Sequence, residues 1–241
     1  MSKFRSLIAI ILGLFVAGGG SPALAYPHLM VVDMVPGAEQ QGSRLSSSLT
    51  PALLFSILAG EIALQRGQTE TGLAYLLGAL RDSQDPALAE RLARLALSSG
   101  NPTIAAEATR YWLDLAPNAP AAIRLHAYAL IELQAYPQAL AALSKMIRGA
   151  SDQALAYVQA VQLLARIEDD DQRIALMEQL VEQDGESAEA RFALALTQAA
   201  VGNAERAREL ATEAVALRPD WDDPREFIVR TLVTEERADE A

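Results

Sequence analysis

Along this chain apolar residues return every three to four positions, the spacing of a one-sided helix, and the whole pattern returns every 34 residues. The repeated frames are 86–119, 120–153, 154–187 and 188–221. Each frame holds two apolar stripes separated by a turn. In 154–187, Tyr157, Ala160, Val161 and Leu164 make one stripe and Met177, Leu180 and Val181 the other. Position 8 of the frame reads Ala93, Ala127, Val161, Ala195, and position 20 reads Ala105, Ala139, Arg173, Ala207. Position 32 reads Pro117, Ser151, Gly185, Pro219. Small residues fall where two helices would touch, and helix breakers where they would part. One hairpin of this kind cannot bury its apolar faces alone, so the period predicts a stack of helical hairpins.

A fifth frame precedes these four. Residues 53–85 are one position short but place Gly60, Gly67, Gly72 and Ala79 at positions 8, 15, 20 and 27. In the next frame Gly100, Asn101 and Pro102 turn the chain, and Pro117 with Asn118 ends the second helix. The third frame has Gln134 where a turn glycine would stand but keeps Ala139 and Leu143. The fourth makes its turn at 168–171 and puts Arg173 in a small-residue slot. The last is regular, with Gly202, Ala207, Ala211, Ala214 and Pro219. Asp222, Asp223 and Pro224 then start one more helix, expected over 225–235. Phe227, Ile228 and Leu232 on one side of it would cover the flank that the last hairpin exposes.

This slot pattern resembles the tetratricopeptide repeat, over 53–221 with a cap to about 235. The implied fold is all-α: a right-handed α-solenoid of about five tetratricopeptide hairpins plus a capping helix, spanning 51–236 and followed by a short tail, 237–241. Two positions depart from the family pattern. Position 4, often a large aromatic, is Ser56, Ala89, Ile123, Tyr157 and Arg191. Position 27, usually small, is Trp112 in the second hairpin. The stretches Ala63-Leu64-Gln65-Arg66-Gly67, 81–91 and Trp112-Leu113-Asp114-Leu115-Ala116-Pro117-Asn118 also resemble a group of exported proteobacterial tetratricopeptide lipoproteins. Some of these are adaptors that bring substrates to carboxyl-terminal-processing proteases, so an envelope protease or its substrate is an implied partner.

The first 25 residues stand outside the repeat. Lys3 and Arg5, an apolar run over 7–17, and Ala23-Leu24-Ala25 have the three-part form of a cleavable signal peptide, which predicts export to the periplasm. Residues 26–50, with Pro27, Pro36, Gly37, Gly42 and Ser46-Ser47-Ser48, read as a flexible leader. Inside it lies one apolar stretch, Leu29-Met30-Val31-Val32-Asp33-Met34-Val35. There is no cysteine, which rules out both disulfides and a cysteine-linked lipid anchor. The net charge of −11 argues against nucleic acid or anionic lipid as the main partner.

Catalytic motifs are missing. The only histidines are His28, in the leader, and His126, in a packing slot. There is no His-Glu-x-x-His element, Gly-x-Ser-x-Gly elbow or phosphate loop, so the reading is non-enzymatic with no cofactor. The acidic runs 168–171 and 220–223 sit at helix starts, where carboxylates cap free amides, and read as caps rather than metal ligands.

Stacked hairpins curve, and in the resembled family the first helix of each lines the concave wall. Carried over by position, slots 2, 5, 9, 12 and 13 would face a bound partner. They select Ile57, Glu61 and Gln65; Glu90, Arg94 and Ser98; Arg124, Tyr128 and Glu132; Val158, Gln162 and Arg166; and Phe192 and Leu196. Arg94, Arg124 and Arg166 fall in successive hairpins and suit carboxylates or backbone carbonyls. Tyr128 and Phe192 would supply flat apolar contact. The predicted function is a protein or peptide-binding scaffold or adaptor. The alternative is a structural part of an envelope assembly for polysaccharide export or pilus biogenesis.

Overall fold

The structure, a computed structural model, describes residues 50–184 and 187–239. The expected signal peptide, the leader up to residue 49, and the last two residues lie outside the described residues. The described residues form eleven α-helices and no strand. These are α1 (Pro51–Gln65), α2 (Thr69–Ser83), α3 (Pro86–Ser98), α4 (Pro102–Leu115), α5 (Pro120–Glu132), α6 (Tyr136–Arg148), α7 (Gln153–Leu164), α8 (Asp170–Asp184), α9 (Ala188–Ala200), α10 (Ala204–Leu217) and α11 (Asp222–Asp239). α1 packs on α2, α3 on α4, α7 on α8 and α9 on α10, the pairing of an all-α chain of helical hairpins that the period predicts.

Local chemistry sets the boundaries. Proline opens α1, α3, α4 and α5, where its missing N–H is no loss. Side-chain oxygens accept orphan amides at the starts of α1 (Thr50 from Leu53, 3.2 Å), α3 (Asp85 from Ala87, 2.9 Å), α4 (Asn101 from Ile104, 3.1 Å) and α7 (Asp152 from Leu155, 3.0 Å). Gly67, Gly100 and Gly202 take a left-handed backbone in their turns. Gln134 takes the same conformation, at φ 55°, in the third hairpin. The turn is therefore preserved there without glycine, at a cost of about 1–2 kcal/mol in backbone strain.

By packing, the described chain divides into two compact units, 50–133 and 134–239. In the first, α1 and α2 cross at two glycines. A Cβ on Gly72 would lie 2.6 Å from Leu64 Cγ and 3.0 Å from the Gly60 carbonyl oxygen, so slots 8 and 20 hold the closest approach. The core then runs through Leu73, Leu76 and Leu80 to Leu92, Ala93, Ala105, Ala108 and Leu125. Trp112, bulky in a slot that is usually small, is buried among these alanines.

In the second unit, Tyr157 and Leu164 of α7 and Met177 and Leu180 of α8 are buried, as their spacing predicts. Arg173 occupies its small-residue slot by folding back: its guanidinium donates to the Ile167 carbonyl at 2.6 Å and pairs with Asp170 at 3.1 Å. Asp169 caps α8 by accepting from the Gln172 amide at 3.0 Å. Ala207, Ala211 and Ala214 of α10 are fully buried. The capping helix buries Phe227, but it leaves Leu232 exposed, contrary to the sequence reading. It also continues to Asp239, through 237–239 of the segment read as a tail.

Candidate functional site: the first-helix face

In the unit 50–133 the first helices of the hairpins are α1, α3 and α5, and the selected residues of the first three hairpins lie on them. Glu61 and Gln65 are on α1, Glu90 and Arg94 on α3, and Arg124, Tyr128 and Glu132 on α5. The structure uses them unequally. Glu61 turns to Arg91, a residue the slot reasoning did not select. Its Oε1 lies 2.5 Å from Arg91 Nη1, and its Oε2 accepts from Nη2 at 2.8 Å. This two-pronged pair ties α1 to α3, and the hydrogen bond to Glu61 raises the Arg91 pKa. Gln65 is exposed and Tyr128 half-buried, while Glu132 is exposed; both Tyr128 and Glu132 are engaged with other groups.

The informative cluster is Glu90, Arg94 and Arg124. Glu90 Oε1 accepts from Arg94 Nη2 at 2.7 Å and from Nε at 3.1 Å, one turn apart on α3. Arg124, half-buried on α5, faces the same region and has no polar partner among the described residues. Burial, and secondarily the positive charge of Arg94, lower its pKa from the usual arginine value. An arginine stays charged under such a shift, so this is a cation held in a place that disfavours it. A carboxylate or carbonyl oxygen arriving beside Arg124 would relieve both causes.

In the unit 134–239 the selections fare differently. Gln162 is exposed on α7. Arg166 lies beyond Leu164, in the turn after α7, and is engaged with another group. It belongs to a different unit from Arg94 and Arg124, and it is not on the first-helix face at all. Phe192 requires correction as a contact residue. It is fully buried on α9, edge-on to Trp221 (ring centroids 5.2 Å apart) and to Phe227 (5.7 Å). Val158 and Leu196 are buried likewise. The physical reason is that Trp221, just before α11, and Phe227, on it, cover this position, so it does not open onto a wall.

His126, on α5, is the packing histidine expected from its position. Its Nδ1 lies 2.8 Å from the fully buried Thr109 hydroxyl, which also donates to the Ala105 carbonyl at 2.8 Å. Burial first, and then the charge of Arg110, lower its pKa below the ordinary 6.5. The unfolded chain therefore takes up this proton before the folded one does. Stability falls as pH drops from about 6.5 through the folded value, and the loss levels off beneath it. Replacement of His126 by glutamine is expected to flatten this part of the dependence, measured as the difference in urea midpoint between about pH 7.5 and 5.5.

No protein-family model matches the chain, and no curated protein matches it. Solved structures are similar to it at low identity. The crystal structure of MamA protein is 16% identical, covers 70% of this chain and 92% of its own, and superposes with a TM-score of 0.43. TTC0263, a thermophilic tetratricopeptide protein of Thermus thermophilus, is 21% identical over 75% of this chain and 99% of its own, with a TM-score of 0.37. YrrB, described as a tetratricopeptide protein with an unusual peptide-binding site, is 19% identical over 75% and 90%, with a TM-score of 0.39. The helices and their packing define the class on their own: an all-α helical-hairpin repeat protein.

Proposed function

We propose that the chain is a non-enzymatic scaffold of the bacterial periplasm that binds a partner protein or peptide on the first-helix face of 50–133. The observation that carries this reading is Arg124, a half-buried cation without a polar partner among the described residues, set beside Arg94. In a chain of net charge −11, two neighbouring arginines with one carboxylate, Glu90, paired to Arg94 form a local excess of positive charge. That excess suits a carboxylate or a backbone carbonyl on an extended segment. The amino-terminal charge and apolar pattern supports export, and the resemblance of 81–91 and 112–118 to exported adaptors supports an envelope protease or its substrate as the partner.

Crosslinking in intact cells, followed by identification of the captured protein, tests the reading. Arg94→Glu together with Arg124→Glu is expected to reduce capture by about 30-fold or more, because truncation of a buried charged contact typically costs about 2–5 kcal/mol. The helical circular-dichroism signal should be retained. Undiminished capture would reject this face. Recovery of the chain only within a large complex, with no affinity for an isolated partner segment, would favour the part in an envelope assembly.

A further inference from the structure

α1 is largely apolar, with Ser56, Glu61 and Gln65 as its polar residues. Leu53 and Ala63 are buried and Gly60 meets α2, yet Leu54, Phe55, Leu58 and Ile62 stand 47%, 63%, 51% and 46% exposed. At the helical turn angle these four fall in one sector about 100° wide, along a stripe about 12 Å long. Tyr75 of α2, 40% exposed, widens it, with its ring edge-on to Phe55 at 6.2 Å. No charge interrupts the stripe, since Glu61 is turned away to Arg91. An exposed apolar stripe of this size is ordinarily covered by another element or chain.

We propose that residues 29–35 dock on this stripe and serve as the amino-terminal cap of the array. Between Ala25 and Thr50 the run Leu29-Met30-Val31-Val32-Asp33-Met34-Val35 is the one sustained apolar segment. It is joined to α1 by residues 36–49, which include Pro36, Gly37, Gly42 and three consecutive serines, a composition that permits the chain to reverse. For glycine- and serine-rich chains of fourteen residues the root-mean-square span is about 20 Å. The far end of the stripe, Ile62, lies about 18 Å from Thr50 along the α1 axis. A matched span gives an effective concentration in the millimolar range. A second copy or a foreign apolar partner at micromolar concentration competes at a disadvantage of about 10³-fold. The tethered segment therefore occupies the stripe first. This inference is independent of the arginine face.

The absence of native cysteine makes the test direct. In the full chain, Val32→Cys is combined with Leu58→Cys and, as control, with Asp114→Cys on α4, an exposed position. Mild oxidation is expected to close an intramolecular disulfide in the first pair at least 10-fold faster than in the control. Leu58 is half exposed, so its replacement leaves the fold intact, as circular dichroism verifies. Adding Val31→Asp should slow closure of the first pair and increase binding of an apolar fluorescent dye several-fold. Closure no faster than the control overturns the proposal. So does a disulfide that joins Leu58→Cys of two chains, because a second copy would then be the occupant.

Discussion

Truncation of Trp112 to alanine is expected to destabilise the protein by about 3–5 kcal/mol, read as a shift in the denaturant midpoint of the helical signal. Trp112 is 7% exposed, and the core cluster it belongs to on α3, α4 and α5 includes Ala89, Ala93, Ala105, Ala108, Ala122 and Ala129, all fully buried. Alanines cannot extend into a void, and a close-packed core relaxes only partly. The cavity should therefore remain largely open, which places the loss toward the upper end of the range. A loss below about 1 kcal/mol would mean that α4 closes onto its neighbours and that the indole is dispensable to the core. The residue that departs from the repeat pattern is thus the one on which this hairpin depends most.

Phe192→Ala is expected to cost a similar amount, about 3–5 kcal/mol, for a different reason. The ring is fully buried and makes edge-to-face contacts with Trp221 and Phe227. Such aromatic pairs are worth about 0.5–1.5 kcal/mol each beyond the area they bury. Its removal deletes the seat of the capping helix. Fluorescence of Trp221 should report the loss at lower denaturant than in the parent protein, with the helical signal of α11 lost alongside. If Phe192 instead served only as a surface contact, the midpoint would move by no more than about 0.5 kcal/mol, as exposed substitutions generally do.

These two residues mark where reading by position succeeds and where it fails. Small residues at positions 8 and 20, breakers at position 32 and the apolar spacing between them are local demands of helix contact and chain reversal. They were legible because every hairpin meets the same demands. Even the irregular members obey them: Gln134 adopts the left-handed turn, and Arg173 fits its slot by folding back to the Ile167 carbonyl. The candidate site was less legible. Slot number states which way a side chain leaves its helix, but not what stands opposite. Slot 5 receives α11 at Phe192 and a second arginine at Arg124, with opposite consequences. Glu61 was selected by position, yet its bond to Arg91 makes it a tie between α1 and α3. Nothing in the spacing indicated that partner.

The amino-acid order by itself determined the helices, the pairing of α1 with α2, α3 with α4, α7 with α8 and α9 with α10, and the small contact where α1 and α2 cross, because each depends on residues close together in the chain. Only the tertiary structure decided which polar groups are neutralised and which are left waiting, and which apolar faces are covered. Pairing of Glu61 with Arg91, the want of a polar partner for Arg124 among the described residues and exposure of the α1 stripe all depend on distances between helices, not on spacing along one helix. Those distances set desolvation and charge proximity, and a one-dimensional pattern does not contain them.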